Sequence, residues 1–459
     1  MTLYPKLVRN VFLPLSLWHR SELAQMRYLR EYNRTQFFST EAIRELQWQR
    51  LQTLLRHAYA QCAFYRRRFE DAGLTPDDFR GLEDLRALPI LEKRDIQEQS
   101  KGMVARNWPR TDLIANQTGG STGAPVSFYL SKARKCSRAA ATLRHNRWAG
   151  WRIGDRTAVI WGAPRDRPDD SWRARLRGAL LREPLWLDTA NITETSLAEF
   201  HTEILRYQPR IIQAYARAAV LFARYLQARG LTPYRPHSIV TSAEVLEEDE
   251  RRLVEDVFGC PVFNRYGCRE VSVIASECPA HRGLHIMAEG LYLEVETPHG
   301  PAAPGEMGSI LVTDLLNHAM PLIRYRIGDV GAWASGACPC GRGLPRLERV
   351  SGRVTDFLVG CDGRLVSGVY LATYVVAQRP SLGQVQIVQR KAGAVTYRIK
   401  PGRDFKYLLD LEYLRMMTHR YLGAGMQIDS EMVDDLPSEP SGKFLFSRSS
   451  VAPEFLTKG

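Results

Sequence analysis

Gln117-Thr118-Gly119-Gly120-Ser121-Thr122-Gly123-Ala124-Pro125 is the stretch on which the reading of this chain turns. Three glycines and three hydroxyl side chains fall within these nine residues, after apolar Leu113-Ile114-Ala115 and before the strand-like run Pro125–Leu130. Glycine lets a backbone turn its N–H groups inward, and Ser/Thr hydroxyls add donors, so such a loop can wrap phosphate oxygens. The lysine of a G-x-x-x-x-G-K-[ST] loop is absent, which excludes that motif. The same composition also serves as an ordinary turn between two strands.

The flanks favour an α/β protein. Ser39 is a good N-cap for a helix over residues 40–75, and Lys93–Gln99 and the Ala139–Ala141 region running to Trp148 also read as helices. Arg156–Trp161 reads as a buried strand ending in Gly162. Ile211–Tyr215, Ser238–Thr241 and Val262–Tyr266 follow as strands, alternating with helices at Val220–Arg229 and Glu247–Val257. That alternation predicts a parallel or mixed sheet covered by helices. From about residue 290 the texture is β-rich, with strands at Gly290–Glu296 and Gly308–Thr313. After Arg353 a smaller α+β unit is expected: a helix at Ser367–Arg379, strands at Gln384–Lys391 and Val395–Lys400, a helix at Tyr407–Leu422 and a strand at Met426–Val433.

A length of 459 residues calls for two or three domains, and 44% hydrophobic with 25% charged residues is ordinary globular composition. No apolar run approaches the roughly eighteen residues of a spanning helix, so no transmembrane segment is expected. Met1–Asn10 lacks the apolar middle and small-residue cleavage site of a signal peptide, which makes the cytoplasm the expected address. The net charge is +13, concentrated in Arg20–Arg68, Arg134–Arg156 and Arg165–Arg182. The favoured reading is a solvated basic surface; nucleic acid is not expected as a partner, because no recognition motif accompanies the charge. Residues 11–30, with Phe12, Leu13, Leu15, Leu17 and Trp18, could lie on a membrane surface, although packing onto their own domain is favoured.

Four stretches in fixed order carry a resemblance. They are the Gly-rich loop; Ser242-Ala243-Glu244 with Tyr266-Gly267-Cys268-Arg269-Glu270; Tyr325-Arg326-Ile327-Gly328-Asp329 with Ser351-Gly352-Arg353; and Pro440-Ser441-Gly442-Lys443-Phe444. Together they resemble the adenylate-forming superfamily of acyl-CoA synthetases and peptide-synthetase adenylation domains. Within it they resemble the phenylacetate–CoA ligase branch and its capsule-biosynthesis (CapK-like) relatives, over roughly residues 40–450. The resemblance implies a large adenylation domain over residues 1–353 with mixed β-sheets and helices, and a small C-terminal α+β lid over residues 354–459. It implies that ATP and Mg2+ are used to convert a small-molecule carboxylic acid, aryl or arylacetic, to an acyl-adenylate, with transfer to coenzyme A. Transfer to an amine or alcohol, giving an amide or ester, stays open. So does a non-catalytic relative that uses the fold only for binding. A homodimer is compatible with the resemblance.

The residue roles follow from the same resemblance. Thr118, Gly119, Gly120, Ser121, Thr122 and Gly123 would cradle the β- and γ-phosphates. Ser242, Ala243 and Glu244 would line the adenine, with Tyr266 stacked on its face and Gly267 beside it. Glu270 would hold Mg2+, Asp329 would accept from the ribose hydroxyls, and Arg353 would contact ribose or phosphate at the domain junction. Lys443, Glu270 and Thr118 form the catalytic set, with Lys443 reaching the substrate carboxylate and the α-phosphate. Trp161, Gly162, Tyr215 and Cys268 are expected near the acyl pocket. Two departures stand out. Val126 follows Pro125 where many members have lysine after the proline. Thr355 stands two residues after Arg353, where relatives often have aspartate, which leaves the pivot open.

Cysteine usage adds a metal candidate. Cys62, Cys136, Cys260 and Cys361 read as isolated, buried residues. Cys338-Pro-Cys340-Gly-Arg can present two sulfurs to one ion, and Cys278-Pro-Ala-His281-Arg-Gly-Leu-His285 offers a third thiolate and a histidine. Cys278, His285, Cys338 and Cys340 would close a structural tetrahedral Zn2+ site, with His281 as the alternative fourth ligand and free thiols on loops as the alternative reading.

Overall fold

The computed structural model describes residues 3–117, 126–162, 172–190, 192–297, 299–351, 354–355, 357–436 and 445–451. Its backbone is a twelve-stranded mixed sheet. Leu185–Asp188, Thr157–Trp161, Ile211–Tyr215, Ser238–Ser242 and Val262–Cys268 lie side by side and parallel. These strands are short apolar runs, as a parallel sheet covered on both faces requires. Helices Glu194–Tyr207, Ala216–Ala228 and Glu248–Phe258 supply the crossovers. Val262–Cys268 is the pivot of the sheet. On its other side the pairing becomes antiparallel, through Ser272–Glu277, Leu284–Ile286, Arg346–Ser351, Tyr325–Trp333, Gly308–Asp314 and Leu291–Thr297. The α/β class and the β-rich second half are as the sequence predicts.

Two helix predictions are corrected by tertiary contacts. Ser39 caps the first long helix as expected, its Oγ accepting from the Ala42 N–H at 3.2 Å. The helix ends at Gln61, however, and Cys62 is extended before a new helix Ala63–Asp71. The Gln61 carbonyl accepts from the Arg106 N–H at 3.0 Å, and the new axis buries Phe64, Tyr65 and Phe69. Core burial here outweighs continued helical pairing. The helix expected at Ser367–Arg379 covers only Gly368–Tyr374 and gives way to short 3-10 turns. Val375 and Val376, both buried, pack at that break, where β-branching lowers helix preference.

Residues from Val354 onward build a separate five-stranded sheet, Val354–Thr355, Leu445–Ser449, Gln384–Lys391, Ala394–Lys400 and Gln427–Met432 in spatial order. Its own apolar cluster includes Leu358, Tyr397, Leu414 and Phe446. This body rests on the carboxyl ends of the outer parallel strands. The Ser367 N–H donates to the Thr189 carbonyl at 3.1 Å, and Phe357 and Val359 join the cluster that contains Ala158 and Ile212.

The arginine-rich run from residue 134 is only in part the solvated surface that the sequence predicts. Arg134 and Arg144 on helix Lys132–Trp148 are fully buried. Arg134 Nε donates to Asp314 at 2.7 Å and its Nη2 to the Val271 carbonyl at 3.2 Å. Arg144 pairs with Glu289 at 2.5 Å and donates to the Tyr32 carbonyl. A guanidinium carries five donors in a rigid fork, so one side chain can join a helix, a strand and a loop inside a core. Cys62, Cys136 and Cys260 are buried as expected, whereas Cys361 is exposed.

Candidate active site and metal centre

Ligands of open parallel sheets bind beyond the carboxyl ends of the strands. Here those ends bring Trp161, Tyr215, Ser242 and the Tyr266–Cys268 segment to one edge. Tyr215 stands beside Ser242 in register, and its ring lies 4.0 Å from that of Trp161, centroid to centroid. Beyond Ser242 the chain turns through Ala243 at φ 70°, a left-handed conformation that residues with a Cβ rarely adopt. Glu244 closes the turn. Its Oε2 accepts from the Arg217 N–H at 2.8 Å, at the start of helix Ala216–Ala228, where a carboxylate complements the helix dipole.

Two tyrosine–carboxylate pairs join the second and third sequence motifs. Tyr266 donates its hydroxyl to Asp329 Oδ2 at 2.9 Å, across to strand Tyr325–Trp333. Burial and then the Asp329 charge push the Tyr266 phenol well above its ordinary range, so it remains a donor. Reciprocally, Tyr325 donates to Glu270 Oε1 at 2.9 Å. Both Tyr325 and Glu270 are buried. Burial, with Glu270 next to it, likewise raises the Cys268 thiol well above its usual value. Tyr325 carried no role in the sequence reading, and neither did Arg138. Arg138 Nη2 donates to the Arg269 carbonyl at 2.6 Å, and burial, then Arg134, lowers its guanidinium to about 10. The quoted motif contains Tyr325, so its proximity was signalled; nothing near Arg138 in the sequence signals its place.

Gly267 is held by a close approach of strands. A Cβ there would meet the Ser272 carbonyl oxygen at 2.4 Å, at a bulge in the pairing of Val262–Cys268 with Ser272–Glu277. The obstructing atom is backbone and cannot rotate away. Gly267→Ala is therefore expected to cost about 2 kcal/mol or more in urea unfolding. An unchanged midpoint would show that the two strands separate freely.

The second cluster is Cys278, His285, Cys338 and Cys340, whose ligand atoms all lie within 4.8 Å of one another. Cys278 Sγ is 3.7 Å from Cys338 Sγ, and Cys340 Sγ is 3.3 Å from His285 Nε2. Tetrahedral Zn–S bonds of about 2.3 Å place two sulfurs about 3.8 Å apart, so the spacing fits that ion. His285 Nδ1 donates to the Leu344 carbonyl at 3.2 Å, which turns the Nε2 lone pair toward the sulfurs. Burial lowers His285 to about 4, keeping it neutral as a metal ligand must be. Burial pushes the Cys278 thiol up to about 12. For Cys340 burial is again the largest influence and acts upward, but hydrogen bonds from Arg342 leave the thiol below its ordinary value. His281 is engaged elsewhere, 3.2 Å from Glu277 and against the Phe263 ring.

Thr118, Gly119, Gly120, Ser121, Thr122 and Gly123, together with Arg353 and Lys443, lie outside the described residues. The segments that flank the first loop are described. Ile114–Gln117 pairs antiparallel with Ser127–Leu130, with Gln117 opposite Ser127.

The family model described as the CapK C-terminal domain matches residues 358–449. The phenylacetate-coenzyme A ligase of Thermus thermophilus is 29% identical over 364 residues, covering 77% of this chain and 80% of that protein. The phenylacetate-coenzyme A ligase of Escherichia coli is 28% identical over 334 residues, covering 70% of this chain and 73% of that one. Protein CapK of Staphylococcus aureus is 23% identical over 418 residues and covers 89% of each chain. The chain belongs to the adenylate-forming ligase superfamily. A solved structure of 2-hydroxyisobutyryl-CoA ligase, with 2-HIB-AMP and CoA in the thioesterification state, superposes with a TM-score of 0.65. It is 20% identical and covers 93% of this chain and 94% of its own. At that identity the likeness is one of fold. The superfamily's two-part architecture is the one seen here: a mixed sheet with a smaller C-terminal body at the ends of its strands.

Proposed function

We propose that this member of the superfamily activates a carboxylic acid with ATP as the acyl-adenylate and passes the acyl group to coenzyme A. The observation that carries the reading is the convergence of two distant motifs, through Tyr266–Asp329 and Tyr325–Glu270, at the carboxyl edge of the parallel strands. The ligase relatives, which align over most of this chain, add support. An aryl or arylacetic acid is the proposed substrate, with Trp161 and Tyr215 as the aromatic wall of its pocket.

In this reading the substrate carboxylate attacks the α-phosphorus in line and pyrophosphate leaves. The coenzyme A sulfur then attacks the acyl carbon and AMP leaves. Asp329 accepts from the ribose hydroxyls while Tyr266 fixes its orientation. Lys443 and the Thr118–Gly123 loop oppose the charge that develops on the phosphates. Glu270, held by Tyr325, is the proposed Mg2+ ligand, and carboxylate oxygen suits that hard cation. Arg353 marks the proposed junction between residues 1–353 and the lid at 354–459. The four-ligand cluster is proposed to hold Zn2+ as a staple, since a closed ligand set leaves no position for substrate.

The test is pyrophosphate release from ATP and Mg2+ across aryl, arylacetic and fatty acids, each run alone, with coenzyme A and with hydroxylamine. A coenzyme A-dependent rise with a thioester product is expected. Adenylate trapped only by hydroxylamine would replace coenzyme A with an amine or alcohol acceptor, and silence across the panel with no ATP binding would return the chain to the binding class. Asp329→Ala is expected to weaken ATP binding about tenfold or more, the worth of at least one hydrogen bond to a charged group. Titration calorimetry reads this directly, and an unaltered affinity would remove Asp329 from the nucleotide site.

A further inference from the structure

We propose that the outer surface formed by helix Trp172–Leu181 and the helical segment Leu3–His19 docks the protein on an anionic lipid surface. The N-terminal segment is helical throughout, with a π-helical turn at Val8–Phe12. Its inner face is anchored. Leu17 is fully buried, Arg9 Nη2 donates to the Ile153 carbonyl at 3.4 Å, and a Cβ on Gly154 would strike the Pro5 carbonyl oxygen at 2.7 Å. Its outer face carries Val11, Leu15 and Trp18 at helical spacing, with Leu15 58% and Trp18 68% exposed.

The neighbouring helix repeats the pattern. Trp172, Leu176 and Leu180 recur every four residues, and Trp172 and Leu176 are 70% and 56% exposed. Tyr4 ties the two helices together by donating to the Ala179 and Leu180 carbonyls at 3.2 and 3.1 Å. Several large exposed apolar side chains on two adjoining helices are what an interaction surface carries, and Trp and Leu are what an interfacial helix presents to a bilayer. No described helix is long and apolar enough to cross a membrane, so the contact is with the surface.

Charge selects the partner. Neither Leu3–His19 nor Trp172–Leu181 contains Asp or Glu, whereas Lys6 and Arg177 are exposed on them and Arg182 follows the second. Between the helices opens a cavity of about 550 Å3, lined by Tyr4, Arg156, Arg182, Glu183 and Tyr207 among others. Arg156 lies over the Tyr207 ring and Arg182 over the Tyr4 ring, at 5.3 and 4.7 Å. A second copy on this face would set these cations against their own kind, while an anionic bilayer complements them. Arg156 and Glu183 also precede strands Thr157–Trp161 and Leu185–Asp188, so the cavity lies at the amino ends of the parallel strands. Docking there leaves the carboxyl edge open to substrate.

The experiment is flotation of the full chain with vesicles of phosphatidylcholine alone or with about 30% phosphatidylglycerol, a mixture chosen to give an anionic surface. The wild type is expected to float with the anionic vesicles and to be released by salt. The double variant Leu15→Glu with Trp18→Glu is expected to lose at least about tenfold in partitioning. Its melting temperature should be unchanged, because both side chains are exposed. Equal flotation of the variant, or no flotation of the wild type, overturns the proposal. So does a wild-type dimer in light scattering that the double variant abolishes while neither protein floats, which would assign the face to a second copy.

Discussion

Lys443→Ala is expected to slow acyl-adenylate formation by about a hundredfold or more while the melting temperature stays at the wild-type value. The proposed role places the ammonium beside the attacking carboxylate and the α-phosphate. Charge builds up there only as the bond to phosphorus forms, so its stabilisation is confined to the transition state, and removing one such donor typically costs 10²–10³ in rate. Acid and ATP binding should change little. Supplied with preformed acyl-adenylate and coenzyme A, the variant should still release thioester, because that step does not use the lysine to balance the same charge. Pyrophosphate release with the cognate acid, followed in parallel with thioester formation from the adenylate, separates the steps. Unchanged release would remove Lys443 from the reaction.

The second large effect concerns the Cys278, His285, Cys338 and Cys340 cluster. Cys338→Ser is expected to abolish bound zinc in elemental analysis and to lower the melting temperature together with it. An ion that binds only the folded chain stabilises it by about 4 kcal/mol when free metal exceeds Kd a thousandfold, which corresponds to roughly 10 °C for a large domain. The loss has a local cause. The cluster joins the end of strand Ser272–Glu277, strand Leu284–Ile286 and the loop that carries Cys338 and Cys340. Without the ion the two strands keep their backbone pairing, but the loop that carries Cys338 and Cys340 loses a strong tie to them, the sulfur contacts being weak. Purified wild type without metal, and with a melting temperature indifferent to chelator, would end the zinc assignment.

Much of this architecture was legible because it is written at short range. The parallel half of the sheet appears in the sequence as apolar runs separated by amphipathic helices, and the observed strands Thr157–Trp161, Ile211–Tyr215 and Val262–Cys268 lie where those runs do. Strand Leu185–Asp188 carries no signal in the sequence, since four residues with a tryptophan and a terminal aspartate offer no alternation to detect. The helix break at Cys62 was invisible for a different reason. Both sides of Cys62 favour helix, and only the docking of Phe64, Tyr65 and Phe69 into the core turns the axis.

The arginines show the same limit from the side of electrostatics. In sequence Arg134, Arg138 and Arg144 are spaced like any basic helix and read as a solvated face. Their partners, the Val271 and Arg269 carbonyls, Asp314 and Glu289, lie more than a hundred residues away. No local pattern announces such a partner.

What the sequence by itself determined is the set of chemical groups and their order: the Gly-rich stretch, the Tyr266–Glu270 and Tyr325–Asp329 segments, Ser441-Gly442-Lys443 and the Cys/His quartet. Those are choices of residue type, and residue type is what a sequence records. Tertiary structure alone decided how the groups meet. It paired Tyr266 with Asp329 and Tyr325 with Glu270, and it turned His285 rather than His281 toward the three sulfurs. It also left the Leu15–Trp18 face of a helix outside the core that receives Leu17. The physical reason is that a hydrogen bond or a ligand sphere is set by distances of about 3 Å. Between residues far apart in the chain, only the packing of the sheet and its helices fixes distances on that scale.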